Sequence, residues 1–290
     1  MWNVHPQSVT HCQRRLAAKF QFVSLLRKSD HYLTKIPPME VAMNLTQFWQ
    51  TNPKAAIAFS GGVDSAYLLY SAVQAGASVK AYYAKTAFQP AFELEDAKKL
   101  AGQLGVEMEI LSVDILSVPQ VAKNPSNRCY YCKTALFSAM TAAAKRDGFT
   151  LILDGTNASD DASDRPGMQA LQELSVRSPL RECGLTKPEI RRLSKEAGLF
   201  THNKPAYACL ATRIPIGDAI TPEKLTRTED AEDFLRSLGL RDFRVRTLGD
   251  TARIQVTVSD LEIVLKSREV IASHLRKLYS GVVLDLEVRP

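Results

Sequence analysis

No stretch of the sequence reaches the roughly eighteen consecutive apolar residues that a membrane-spanning helix needs, so no membrane partner is expected. Cysteine is sparse and odd in number: Cys12, Cys129, Cys132, Cys183 and Cys209 are the five. With no secretory apolar segment near the start, a disulfide framework is not expected and a reducing, cytoplasmic setting is. Internal repeats and low-complexity tracts are absent. Acidic residues are scarce over positions 1–42, where six Lys or Arg face only Asp30 and Glu40, a net charge of +4. Of the total of +6, only +2 is left for the other 248 residues. The body therefore lacks the broad basic face of a nucleic-acid binder, and no nucleic-acid partner is expected.

Residues 1–42 read as an N-terminal extension without β–α alternation. The favoured expectation is an upstream start codon, with Met39 or Met43 as the natural start. A disordered or loosely docked helix (Gln13 to Arg27) and an acid-poor targeting peptide are the competing readings.

From residue 55 onward the texture changes. Ala55–Phe59 is a short buried-strand pattern, Ser60-Gly61-Gly62 a glycine turn, and Asp64–Ala75 a helical pattern. Strands are expected at Val79–Ala84, Glu107–Val113 and Thr150–Leu153, with helices at Pro90–Leu104 and Tyr130–Arg146. Apolar strands alternating with helices imply a Rossmann-like parallel sheet covered on both faces, an α/β fold over 43–220. After Pro222 a helix (Glu223–Leu238) leads into Phe243–Thr247 and Ala252–Val258. These strands alternate apolar and polar residues, as in a half-solvated antiparallel sheet. A last helix, Leu261–Leu278, and a strand, Val282–Val288, complete a smaller C-terminal α+β domain over 221–290. Its exposed strand edges make a homo-oligomer the expected assembly.

The loop Ser60-Gly61-Gly62-Val63-Asp64-Ser65 joins a strand to a helix, a geometry that turns backbone N–H groups toward an anion. The glycines allow positive φ and close approach of a phosphate. The Gly-Lys-Ser ending of a Walker A loop is missing, so this is a different nucleotide loop. Asp154-Gly155-Thr156-Asn157 follows the fourth strand. Both loops fall on the carboxyl edge of the sheet, where such folds bind ligands.

Cys129 and Cys132 form a C-x-x-C at the start of a helix, where the helix N-terminus, Arg128 and Lys133 favour a thiolate. Cys209 lies far along the chain. Four readings stand: small buried hydrophobes, a redox pair, a zinc site completed by His202, or a three-cysteine iron–sulfur cluster with an open iron. Cys12 and Cys183 show no partner spacing.

The pattern S-G-G-V-D-S resembles the PP-loop of the ATP pyrophosphatase superfamily, whose fold is adenine nucleotide alpha hydrolase-like. With N-R-C-Y-Y-C-K, D-G-T-N-A-S-D-D, D-R-P-G-M-Q-A-L, V-R-S-P-L, G-L-T-K-P-E-I-R and K-P-A-Y-A-C-L-A-T-R-I-P-I-G following in order, residues 45–290 resemble the ATP-dependent sulfur transferases of nickel-pincer cofactor synthesis, the LarE family. The resemblance implies adenylylation of a carboxylate on a pyridinium dicarboxylate mononucleotide, followed by displacement of AMP by sulfur. One form of the family sacrifices a single cysteine, matched here to Cys129. The other holds a 4Fe-4S cluster on three cysteines, matched to Cys129, Cys132 and Cys209, and takes sulfide or another donor as its sulfur source. The cluster form is the favoured expectation. Ser60, Gly61, Gly62, Val63, Asp64 and Ser65 are expected to hold ATP, with Gly155 and Thr156 approaching it. Arg165, Arg177 and Arg213 are candidate forks for the anionic substrate. Asp160 and Asp161 are read as a helix cap or as Mg²⁺ ligands, and Glu173 as a weak polar contact. A PP-loop tRNA thiolase and an NAD- or GMP-synthetase-like amidotransferase are the rival readings.

Overall fold

Short apolar runs separated by amphipathic segments build the first sheet. The computed structural model describes residues 44–160 and 166–289. The expectations for residues 1–42, Cys12, Asp161 and Arg165 lie outside them. A capped helix α1 (Leu45–Thr51) precedes β1 (Lys54–Ala58), α2 (Val63–Gln74), β2 (Ser78–Lys85), α3 (Ala91–Gln103) and β3 (Met108–Ser112). A short α4 (Pro119–Ala122) leads into the long α5 (Arg128–Arg146), β4 (Ile152–Leu153), α6 (Pro166–Glu173), α7 (Pro179–Glu182) and α8 (Lys187–Glu196). All strand pairs are parallel and the order is β3-β2-β1-β4. The chain thus reverses its direction of winding between β1 and β4, the place where open parallel sheets form a ligand crevice.

Each face of the sheet is covered. Phe48, Ile57, Leu68, Leu69, Leu100, Leu180 and Ile190 fill one core. Tyr82, Phe137, Met140, Ala144 and Ile152 fill the other. Burying each large aliphatic side chain contributes about 1.5–3 kcal/mol. Thr186 and Glu189 form a capping box at the start of α8, Glu189 Oε2 accepting from the Thr186 N–H and hydroxyl.

A third cluster binds the later loop to the start of α5. Leu210, Ala211, Ile214 and Ile220 pack with Phe88, Ile115 and Val121, and Cys132 and Cys209 lie against them.

The second sheet follows α9 (Pro222–Ser237) and comprises β5 (Phe243–Leu248), β6 (Thr251–Val256) and β7 (Gly281–Leu284). Every second residue of β6 (Ala252, Ile254 and Val256) is buried, as the alternation predicts. Gly249, at φ +60°, occupies the first central position of the β5–β6 turn, as a type II′ hairpin requires. β5 and β6 pair antiparallel as expected, and β7 joins β6 in parallel, so the sheet is mixed. One expectation needs correction. The last helix is broken at Ser267 into α10 (Val258–Lys266) and α11 (Arg268–Leu275). The spacing of buried Asp260, Val264, Ile271 and Leu275 runs through the break, which hides it from a periodicity reading. No helix among the described residues is long and apolar enough to cross a membrane.

Candidate active site

The glycine turn after β1 takes the shape its composition predicts. Gly61 has φ +71°, and a Cβ there would come within 3.0 Å of Ala97. Gly62 caps α2 with extended backbone and no side-chain capping bond, which leaves N–H groups of the first turn facing outward. Ser60 Oγ and Ser65 Oγ are 3.1 Å apart, and the Ser65 hydroxyl donates to the Gly62 carbonyl at 3.3 Å. The loop is thereby tied across its own mouth.

The end of β4 meets this turn directly. A Cβ on Gly155 would lie 2.9 Å from the Ser65 backbone nitrogen, so only glycine admits the approach. Buried Asp154 accepts from the hydroxyls of Thr156 at 2.5 Å and Ser178 at 2.6 Å, which orients Thr156. Sequence reading did not assign Asp154 a role, although it sits in the same motif.

These groups line one cavity of about 510 Å³. Ser60, Gly62, Asp64, Ser65, Gly155 and Thr156 form its polar end, and Cys129 and Lys133 stand on the same wall lining. Leu136, Phe137, Met140 and Met168 supply an apolar surface suited to a planar ring.

Asp64 is held by Lys187, whose Nζ lies 2.5 Å from Oδ2. Burial raises the Asp64 carboxyl above its ordinary range, and the Lys187 hydrogen bond and charge oppose that rise. Asp64 Oδ1 is buried without a hydrogen-bond partner. A buried, unmatched carboxylate oxygen at a phosphate loop fits a hard divalent cation such as Mg²⁺. Lys187 was not singled out from the sequence; its signal was its place at the head of a capped helix in G-L-T-K-P-E-I-R. Asp160 Oδ2 accepts from the Asn157 N–H at 3.0 Å and closes the turn after β4.

Of the expected arginine forks, the two described ones, Arg177 and Arg213, are not among the residues that line the cavity. Arg177 donates to Glu182 at 2.5 Å and to Asn52, and its guanidinium lies over Phe48. Arg213 is 1% exposed and binds both oxygens of buried Glu232, at 2.7 and 3.1 Å, with Nη1 on the Ala208 carbonyl. Its charge is consumed in anchoring the 208–212 segment to α9. Glu173 accepts from the Tyr130 hydroxyl at 2.6 Å and from Gln169.

The cysteines converge in part. Cys129 and Cys132 lie one turn apart on α5, and the 207–214 loop brings Cys209 alongside, close enough for Cys209 and Cys129 to disfavour ionisation of Cys132. Cys129 is exposed and reaches the cavity. Burial, first, and then the neighbouring cysteines push the Cys132 thiol up to about 12. Burial likewise raises Cys209, against the opposing charge of Arg128. At Cys132 the thiolate-favouring setting expected from the helix N-terminus is therefore outweighed by desolvation. His202 faces the Leu199 carbonyl through Nδ1 at 3.0 Å. Among the described residues no three His, Cys, Asp or Glu side chains are grouped so as to hold a metal ion.

A parallel sheet whose first strand feeds S-G-G-V-D-S into a helix N-terminus, at the point where strand order reverses, defines an ATP-using PP-loop enzyme. The profile of a PP-loop family, described as queuosine biosynthesis protein QueC, matches residues 54–124. An uncharacterized protein of Synechocystis is 37% identical over 84% of this chain and 92% of its own length. The pyridinium-3,5-bisthiocarboxylic acid mononucleotide synthase of Lactiplantibacillus plantarum is 32% identical over 80% of this chain and 86% of its own. A tRNA-specific 2-thiouridylase of Thermotoga petrophila is 27% identical over 52% of this chain and 54% of its own. The chain belongs to the LarE family, and it is an enzyme that transfers sulfur at the expense of ATP.

Proposed function

We propose that the enzyme adenylylates a carboxylate of a pyridinium dicarboxylate mononucleotide and exchanges AMP for sulfur, leaving a thiocarboxylate for nickel-pincer cofactor synthesis. The observation that carries this reading is the single cavity walled by both the phosphate loop and Cys129. A carboxylate is a poor electrophile, and AMP is a good leaving group. The N–H groups at the head of α2 and the Ser60 and Ser65 hydroxyls hold the pyrophosphate portion of ATP. Asp64 Oδ1 offers the ligand for Mg²⁺, and Lys187 opposes the rise that burial imposes on that carboxyl. A substrate carboxylate oxygen then bonds to the α-phosphorus as the bond to pyrophosphate breaks.

The sulfur source is read as the cysteine trio. A cluster takes one thiolate on each of several irons, so its ligands stand apart rather than closing on one ion. Cys132 and Cys209 in an apolar surround, with exposed Cys129 one turn from Cys132 and a buried guanidinium beside them, fit such a donor set. Bound there, a 4Fe-4S cluster with an open iron would supply sulfide as the nucleophile. A second reading is favoured by the exposure of Cys129: its sulfur bonds to the acyl carbon, AMP leaves, and elimination gives the thiocarboxylate and dehydroalanine at 129.

Anaerobic reconstitution followed by mass spectrometry after turnover separates the two. Iron, charge-transfer absorbance, an intact chain and several product equivalents support the cluster; loss of one H₂S mass at Cys129 supports sacrifice. Absence of AMP and pyrophosphate overturns both, and thiolation of tRNA instead would favour the rival tRNA-thiolase reading. The division into domains 43–220 and 221–290 is supported by their separate cores. Self-association is supported by exposed Val258, Leu265, Val270 and Leu286.

A further inference from the structure

We infer that Asn124 and Arg128 form a buried clamp that positions Cys209 beside the first turn of α5 and supplies the sulfur site with its positive charge. The inference rests on the cysteine trio being the sulfur site. Asn124 is fully buried and has φ +54°, a left-handed conformation that asparagine tolerates better than most residues. Its Nδ2 donates to the Pro215 carbonyl at 2.7 Å and to that of Ile214 at 3.3 Å, while its own carbonyl accepts from the Gly217 N–H at 2.9 Å. Its remaining oxygen, Oδ1, accepts from Arg128 Nη1 at 2.6 Å. The same Nη1 reaches the Ala211 carbonyl at 3.1 Å, two residues beyond Cys209. One asparagine and one arginine therefore fasten the 211–217 segment to the residue that immediately precedes Cys129.

The partners of Arg128 are all neutral. It is 7% exposed, and among the described residues no carboxylate pairs with it. Arg213, buried nearby, shows the ordinary solution, a bidentate carboxylate. A buried cation without an anion is costly, because the desolvation it suffers is not recovered. Its guanidinium is tied to the Ala211 carbonyl, two residues beyond Cys209, and its own residue adjoins Cys129. An anionic sulfur centre held by these cysteines would complete the site, and Arg128 is a positioning residue for it.

The test uses the full chain in two arms. In the metal-free protein, Arg128→Met is expected to speed amide hydrogen exchange across residues 210–214 at least tenfold. Arg128→Lys, which keeps the charge and loses the fork, is expected to speed it as well. After anaerobic reconstitution with iron and sulfide, Arg128→Met is expected to lower the reduction potential, because a lost cation disfavours the more negative reduced state. Arg128→Lys is expected to stay near the parent potential. If Arg128→Met does not fold, Arg128→Lys and Asn124→Gly carry the exchange arm. Unchanged exchange in these variants overturns the clamp, and equal shifts in potential for Lys and Met overturn the charge role. A parent protein that takes up no iron sinks the cluster reading and, with it, the charge role, while the exchange arm still decides the clamp.

Discussion

Lys187 Nζ lies 2.5 Å from Asp64 Oδ2, joining the head of α8 to the first turn of the phosphate-loop helix across 123 residues of sequence. Burial works against ionisation of Asp64, and Lys187 is the strongest influence restoring it. Lys187→Met should therefore raise the Asp64 pKa further and weaken any cation held there. The expected outcome is a loss of at least tenfold in ATP–pyrophosphate exchange at neutral pH, with only a few degrees of change in Tm. Exchange at the parent rate would remove Lys187 from the nucleotide site.

Gly155 approaches the Ser65 backbone too closely for any side chain. Gly155→Ala should push the β4 loop away from the phosphate loop, costing about 1–3 kcal/mol by overpacking. ATP affinity, measured by calorimetry, should fall more than global stability explains. An unchanged Kd together with an unchanged Tm would contradict the close approach.

Arg213 is buried against Glu232, so its removal leaves a carboxylate unpaired. Arg213→Met should destabilise the chain by about 3–5 kcal/mol, and the double variant with Glu232→Gln should recover much of that. Denaturant unfolding gives both numbers. If Arg213→Met instead raises only the substrate KM, with stability intact, the substrate-fork expectation returns.

Burial pushes Glu93 from an ordinary 4.5 to about 7. A carboxyl that holds its proton more tightly in the fold adds stability below pH 4.5, and that contribution is lost as pH rises through 7. The full effect is at most about 3 kcal/mol. Glu93→Gln should flatten the pH dependence of unfolding across this window. Denaturation curves at pH 5, 6, 7 and 8 test it; an unaltered slope would show that Glu93 ionises freely.

Much of the first sheet was legible because parallel strands buried on both faces leave unbroken apolar runs between glycine turns. The phosphate loop was legible because positive φ at Gly61 and close approach at Gly155 leave so few acceptable residues. The break at Ser267 was not, since the same apolar spacing serves a continuous helix and a bent one. Nor was the parallel pairing of β7, because alternation specifies a face and not a strand direction. The pairing of Arg213 was hidden for a related reason: a guanidinium in a polar motif looks the same whether it awaits a substrate or, like Arg213, is already paired with Glu232.

The sequence by itself determined the α/β class, the ATP-binding turn and the family, since these depend on local backbone demands and on motifs in a set order. Tertiary structure decided which groups share a cavity. Cys129 meets Ser60–Ser65 because α5 returns to the carboxyl edge of the sheet, and Cys209 joins Cys132 because a buried apolar cluster folds a distant loop onto that helix. Side-chain charge and desolvation depend on neighbours far apart in the chain, so the surroundings of Asp64, Cys132 and Arg128 could be read only from the folded molecule.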